Sequence, residues 1–277
     1  MSDLPYDREN FCYRHPDRQS FILCQRCGKT ICPACQTQAS VGVHCPDCVK
    51  AARQAAPKQR PAAVRAQRAW RTRTDRPYLT FAIIALCIVI YAAQFFGGAA
   101  VTNQLVFYAP FTAERPWTVL TSMFAHGSPI HLLLNMYSLY VLGSILESPL
   151  GRARYAALYL LSGLGGSVAV ILLSPTTPVL GASGAIFGLL AALFVIQRSL
   201  GGNTTQLVIV LVMNLAIGFL LPGISWQAHV GGLVAGAAVA FVILRTRDAR
   251  KPRRQALMIA GVGVILVVVA ALGLSAY

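Results

Sequence analysis

Apolar and polar positions separate along this chain into long blocks rather than alternating residue by residue. Seven apolar runs stand between short polar or basic segments: Leu79–Gly97, about Ile130–Glu147, Tyr155–Leu173, Gly181–Gln197, Leu207–Leu221, Trp226–Leu244 and Ala256–Ala276. Each approaches the ~20 residues that a helix needs to cross the hydrocarbon core, the fifth being somewhat short. Tyr155 to Gln197 carries no formal charge at all. A lipid-spanning segment must satisfy its backbone polar groups internally, so these runs predict helices. The fold class read from the pattern is an all-α polytopic membrane protein with seven spans.

Composition sharpens this. Of 277 residues, 56% are hydrophobic and only 12% charged, and the mean hydropathy is +0.58. Soluble domains carry roughly twice that share of charge. The net charge of +15 would suggest a nucleic-acid partner, but the basic residues sit in short blocks between apolar runs. The positive-inside rule produces such blocks, so no nucleic-acid partner is expected. Numbering the gaps alternately, one set holds the segment before the first span, Arg152 with Arg154, Arg198, and the six Lys/Arg from Arg245 to Arg254. The other set holds only Arg115, next to Glu114. The N-terminus is therefore expected in the cytoplasm and the C-terminus outside. Gly98–Pro129, with Phe107, Tyr108, Phe111, Trp117 and Phe124, then faces outward. It reads as an amphipathic loop sunk in the outer leaflet, where aromatic side chains sit well, or as an ordinary extracellular loop. No cleavable signal peptide is expected, because the first 77 residues are polar.

The predicted domains are a Cys-rich module at 1–50, a basic linker at 51–78, a six-helix core at 79–247 and a seventh span at 255–277. The linker holds eight Lys/Arg up to Arg76 and reads as a tether with weak affinity for anionic headgroups. Seven of the eight cysteines lie between Cys12 and Cys48, while Cys87 is alone in an apolar run. Four pairs follow in order: Cys12 with His15, Cys24 with Cys27, Cys32 with Cys35, and Cys45 with Cys48, each two residues apart. Eight ligands in that spacing match two tetrahedral zinc sites. A reducing compartment and an odd count of seven argue against disulfides. The order of pairs resembles a B-box zinc domain. That resemblance implies a cross-brace, with Cys12, His15, Cys32 and Cys35 on one ion and Cys24, Cys27, Cys45 and Cys48 on the other. His44 would be able to replace Cys45. So small a module lacks the core to fold alone, so zinc should supply folding energy. Its expected job is to engage a protein partner or to regulate.

The chemistry lies in the apolar runs. Ser183 stands in Gly181-Ala182-Ser183-Gly184, and His229 stands 46 residues on in an uncharged stretch. A hydroxyl and an imidazole inside spanning segments are the ingredients of a nucleophile and its base. His126, His131 and Asn135 open the second span. His131 and Asn135 are one turn apart on a shared face and would donate to a developing oxyanion. The Ser183 N–H is free at a helix N-terminus and is a further donor. Gly184 and Gly188, and Gly232 and Gly236, are each four apart, which lets the fourth and sixth spans approach closely. Taken singly, Ser183 reads as a packing residue, Asn135 as helix–helix glue, and His126 as a stabiliser of the outer loop.

Together these motifs resemble the rhomboid intramembrane serine proteases: Phe124-Ala125-His126-Gly127 with His131 and Asn135, Gly181-Ala182-Ser183-Gly184, and Ala228-His229 with Gly232 and Gly236. The resemblance runs from about Leu79 to Leu244. It implies Ser183 as nucleophile, His229 as general base, and His131, Asn135 and the Ser183 amide as the oxyanion hole. The substrates implied are transmembrane proteins, cut near the outer face without a catalytic cofactor. Two departures stand out. Trp117 is followed by Thr118 where the family often has Arg, and Phe187 stands four residues after the serine where Tyr is common. No Asp or Glu lies in the spans of Ser183 and His229, so a dyad is expected rather than a triad. The rival reading is a non-catalytic membrane protein that binds transmembrane helices, or a metal through His126, His131 and His229.

Overall fold

The computed structural model describes residues 10–39, 41–55, 76–220, 223–246 and 252–276. Contacts divide the chain into two units, Met1–Val64 and Arg65–Tyr277.

Among its described residues the first unit has little regular structure. Strand β1 (Phe11–Cys12) pairs antiparallel with β2 (His15–Gln19), and β3 (Thr37–Gln38) pairs with β4 (Val43–His44). Helix α1 (Pro46–Ala55) follows. It runs five residues past the boundary expected at 50. The rest of the expected linker lies outside the described residues until Arg76. Among the described residues the buried interior consists of Ile31 and five cysteines, with Tyr13, Val43 and Cys48 packed against it.

The second unit is helical. Its long elements are α2 (Tyr78–Leu105), α4 (Pro129–Leu150), α5 (Arg152–Leu173), α6 (Ser183–Ser199), α7 (Thr205–Leu220), α8 (Trp226–Arg245) and α9 (Pro252–Leu274). Helix α3 is a single turn, Thr118–Thr121. Each predicted apolar run therefore lies on a helix. Among the described residues five helices are long and apolar enough to cross a membrane, while α6 and α7 have 17 and 16 residues. Large exposed apolar side chains such as Phe95, Ile209 and Val264 line the outside, the surface that lipid covers in a membrane protein. The short α6 lies at the centre. Eleven of its residues are buried, from Gly184 to Leu193 together with Ile196.

The sequence reading ended the first helix at Gly97, but α2 continues to Leu105. At Gly98 the backbone turns to φ 58° and ψ −142°, a conformation that only glycine adopts without strain. The Gln94 amide donates to Thr102 Oγ1 across the break. The first part of the expected outer loop is thus a redirected piece of helix.

Close packing of α5, α6 and α8 rests on missing side chains. A Cβ at Gly232 would strike the Gly184 carbonyl, and one at Gly236 the Gly188 carbonyl. This is the approach expected from the paired glycines. Helix α5 joins in a way the sequence reading missed. A Cβ at Gly165 would lie 2.8 Å from the Gly231 carbonyl oxygen, and one at Gly166 2.9 Å from that of Ala228.

One end of the bundle is tied by Glu147, which is only 2% exposed. Its carboxylate accepts from the Leu79 and Thr80 amides, both at 2.8 Å, and from Thr80 Oγ1 at 2.7 Å. Glu147 thereby caps the N-terminus of α2, where a negative group is favoured by the helix dipole. Gln255 secures α9 by donating to the carbonyls of Ile243 and Thr246 and accepting from Arg154.

Candidate functional site

The first turn of α6 carries Ser183. Gly181 just before it has φ 132°, and its N–H donates to the Ser122 carbonyl at 2.9 Å. No side chain caps this helix N-terminus. Its first amides, that of Ser183 included, have no acceptor within the helix. Helix α8 begins at a true cap, with Ser225 Oγ accepting from the Ala228 N–H. That start places His229 on the first turn facing α6.

Ser183 Oγ lies 2.9 Å from His229 Nε2. The His229 ring is 6% exposed and stacks on Phe187, with centroids 4.2 Å apart and planes 11° apart. The departure at 187 therefore keeps an aromatic floor under the imidazole. Among the described residues nothing hydrogen-bonds His229 Nδ1. A hydroxyl donating to Nε2 requires the neutral tautomer protonated at Nδ1. That is the geometry a hydroxyl nucleophile and its base would need, and among the described residues no carboxylate bonds the far nitrogen.

His131 approaches from α4. The helix is capped by Ser128 Oγ, which accepts from the His131 N–H. His131 Nδ1 accepts from the Gly127 N–H at 3.4 Å, which leaves the ring proton on Nε2. Cε1 and Nε2 of that ring crowd Gly181. A Cβ there would lie 2.8 Å from each and 3.9 Å from Ser183 Oγ. Gly181 is thus required for its φ and for the room it leaves His131. Asn135 is buried one turn further, and one of its amide hydrogens goes to the His131 carbonyl at 2.9 Å. His126 is 1% exposed and packs edge-on to His131 at 5.2 Å, while its N–H donates to Gln94 Oε1. Gln94 was not singled out from sequence, since an amide inside an apolar helix gives no motif. Of the histidines in the rival metal reading, His229 bonds Ser183 and His126 packs on His131, and the three form no metal-suited group among the described residues. Among the described residues both groups suited to a metal lie in the N-terminal unit.

The segment expected outside is fixed by the two residues flanking Pro116. Arg115 donates to the Asn103 carbonyl and Trp117 Nε1 to that of Gln104 at 3.0 Å. Both carbonyls belong to the last turn of α2. Anchoring therefore does not need an Arg after Trp117.

In the N-terminal unit the ligand atoms of Cys12, His15, Cys32 and Cys35 lie within 4.8 Å of one another, as do those of Cys24, Cys27, Cys45 and Cys48. This is the cross-braced grouping. A tetrahedral ion with bonds of about 2.3 Å sets its ligands roughly 3.8 Å apart, so both sets fit a metal. His15 presents Nδ1, 3.3 Å from Cys35 Sγ and 3.4 Å from Cys32 Sγ. His44 belongs to neither group. Burial pushes the Cys12 thiol up, but backbone hydrogen bonds from Cys32 and Arg14 outweigh it and hold the thiol at about 6. Cys24 is likewise held at about 6, with Cys45 and Arg26 amides opposing burial. In the same sets burial and neighbouring cysteines push Cys35 up to about 11 and Cys48 up to about 12, so each set holds thiols shifted both ways.

Residues 113–246 match the Rhomboid domain family. The chain is 31% identical over 140 residues to the putative rhomboid protease YdcA of Bacillus subtilis, covering 48% of this chain and 70% of that protein. It is 33% identical over 172 residues to the rhomboid protease GluP of the same organism, covering 58% of this chain and 34% of GluP. It is 36% identical over 138 residues to RHOMBOID-like protein 6, mitochondrial, of Arabidopsis thaliana, covering 47% of this chain and 45% of that protein. The chain thus spans less than half the length of the latter two.

Proposed function

This chain belongs to the rhomboid family, and we propose that it acts there as an intramembrane serine endopeptidase on transmembrane-protein substrates. The observation that carries the reading is the 2.9 Å contact between Ser183 Oγ and His229 Nε2. In the proposed cycle Ser183 attacks the scissile carbonyl while His229 Nε2 takes the hydroxyl proton. His229 then returns that proton to the leaving amine. A water, deprotonated by the same nitrogen, hydrolyses the acyl-enzyme. The oxyanion is received by the Ser183 N–H, by Nε2–H of His131, and by the second amide hydrogen of Asn135. Gly184, Gly232 and Gly236 hold α6 and α8 at the separation the dyad needs. His126 and Phe187 support the two rings. No cofactor takes part in the reaction. The substrate helix must unwind to offer a peptide bond, so helix-breaking residues near the scissile site favour cleavage.

The distribution of Lys and Arg supports a cytoplasmic N-terminus, an external C-terminus and cleavage near the outer face. In the N-terminal module we assign two structural zinc ions to the cross-braced sets, since thiolate-rich tetrahedral sites with no open position suit that metal.

Co-expression with a model transmembrane substrate tests the catalytic reading. Wild type yields a cleaved product, whereas Ser183→Ala and His229→Ala yield none. A fluorophosphonate labels the wild type at Ser183. Undiminished cleavage by either variant overturns the dyad.

A further inference from the structure

Three apolar side chains lie outside the N-terminal module instead of within it. Phe21, Ile22 and Leu23 are consecutive and are 73%, 45% and 53% exposed. Fraying does not explain this, because the backbone beneath them is fixed. Leu23 bridges to Thr30, and the Ile22 carbonyl accepts from the Ile31 N–H at 2.8 Å. Ser20 Oγ is buried under the same strand, donating to the Ile31 carbonyl at 2.8 Å and accepting from the Ile22 N–H. The three residues form one arm of a rigid hairpin. Its turn is closed by the Gly28 N–H on the Cys24 carbonyl and the Cys24 N–H on the Lys29 carbonyl. Arg26 and Lys29 are exposed on that turn, and Arg18 is exposed three residues before Phe21. An aromatic and two aliphatic exposed side chains, with the exposed cations Arg18, Arg26 and Lys29 within six residues of them in sequence, match the chemistry of an anionic lipid surface.

We propose that the Phe21-Ile22-Leu23 tip inserts into the headgroup layer of an anionic bilayer, the one in which the rest of the chain is anchored. Charge favours this occupant. Residues 10–55 hold six Lys/Arg against two Asp, and residues 56–76 add seven Lys/Arg against one Asp. The tether enforces proximity. From Ala55 to Tyr78 the chain spans no more than about 80 Å when fully extended, so the tip meets its own membrane at high effective concentration.

The full chain, with Phe21 replaced by the photocrosslinker p-benzoylphenylalanine, is reconstituted into phosphatidylcholine vesicles with or without phosphatidylglycerol. It is then irradiated, and the N-terminal peptides are read by mass spectrometry. The expected product is a lipid adduct at position 21 in the anionic vesicles, falling about fivefold for each of Arg18→Gln and Arg26→Gln. The same probe at exposed Thr37, on β3, should give no lipid adduct. Three results overturn the proposal: no lipid adduct in anionic vesicles, equal labelling at Thr37, or photoproducts on polypeptide alone, which would mark a protein-docking tip. The readout needs no proteolysis, so an inactive Ser183 would leave it unchanged.

Discussion

Replacing Glu147 by glutamine removes one charge and almost no volume from a site with three donors and one acceptor group. Oε2 takes the Thr80 N–H and hydroxyl, and Oε1 takes the Leu79 N–H. The best placement of a glutamine turns its carbonyl to Thr80 and its NH2 to Leu79, leaving a donor against a donor. A buried donor without an acceptor costs about 1–3 kcal/mol. Loss of charge assistance on the two remaining bonds adds roughly 1 kcal/mol, and loss of the favourable charge at the start of α2 adds about 0.3–1 kcal/mol. The sum is on the order of 3 kcal/mol or more, a large share of the stability of a typical domain. Reversible unfolding in mixed micelles, followed by tryptophan fluorescence, reads this directly. Sixteen residues along α4 separate Glu147 from His131, a distance of about 24 Å. Glu147→Gln should therefore retain near-normal kcat at low temperature while inactivating early on heating. A variant within about 1 kcal/mol of wild type would show that the carboxylate is not the cap described.

Other expectations follow from the same contacts. Phe187→Leu should lower kcat/KM between about twofold and tenfold through loss of ring stacking on His229, with Phe187→Tyr close to wild type in the same cleavage assay. Gly218→Ala places a Cβ 3.2 Å from His229 Nδ1 and should lower kcat with little change in unfolding midpoint, whereas equal activity would show that the ring has room to move. Native mass spectrometry should find two metal ions per chain, one after Cys35→Ser, and still two after His44→Ala, since His44 lies outside both ligand groups.

Helices and site differ in how openly the sequence displays them. Apolar runs announced every long helix, because lipid demands length and hydrophobicity from each segment separately. Ser183, His229 and the glycines at 184, 188, 232 and 236 were also visible, since polar or side-chain-free positions stand out against such a background. What stayed hidden depends on pairs distant in sequence. Glu147 read only as a charge at a helix end, and nothing near it names Leu79 and Thr80 as its partners 67 or 68 residues away. Gln94 was silent for the same reason. Gly165 and Gly166 were passed over because adjacent glycines lack the four-residue spacing, although they face different carbonyls of α8. The helical continuation beyond Gly98 was missed because a glycine pair ordinarily signals an end, whereas here one left-handed residue redirects the helix.

In the proposed dyad, the geometry around His229 would hold a base without an acid. In a triad a carboxylate fixes the imidazole tautomer and its orientation. Here Nδ1 is buried and hydrogen-bonded to none of the described residues, and the Ser183 hydroxyl on Nε2 is the ring's one hydrogen-bond partner among them. Orientation comes from packing. Phe187 lies parallel beneath the ring, and the backbone of Gly218, the buried residue of α7, closes the edge at Nδ1. A side chain at 218 would take that edge, and a wider separation of α6 and α8 would take Ser183 out of reach. The glycines at 218, 232 and 236 therefore do by close approach what a carboxylate does by charge. In a hydrocarbon setting, where a buried charge is expensive, that substitution would let the proposed dyad be aligned with no ion beside His229 Nδ1.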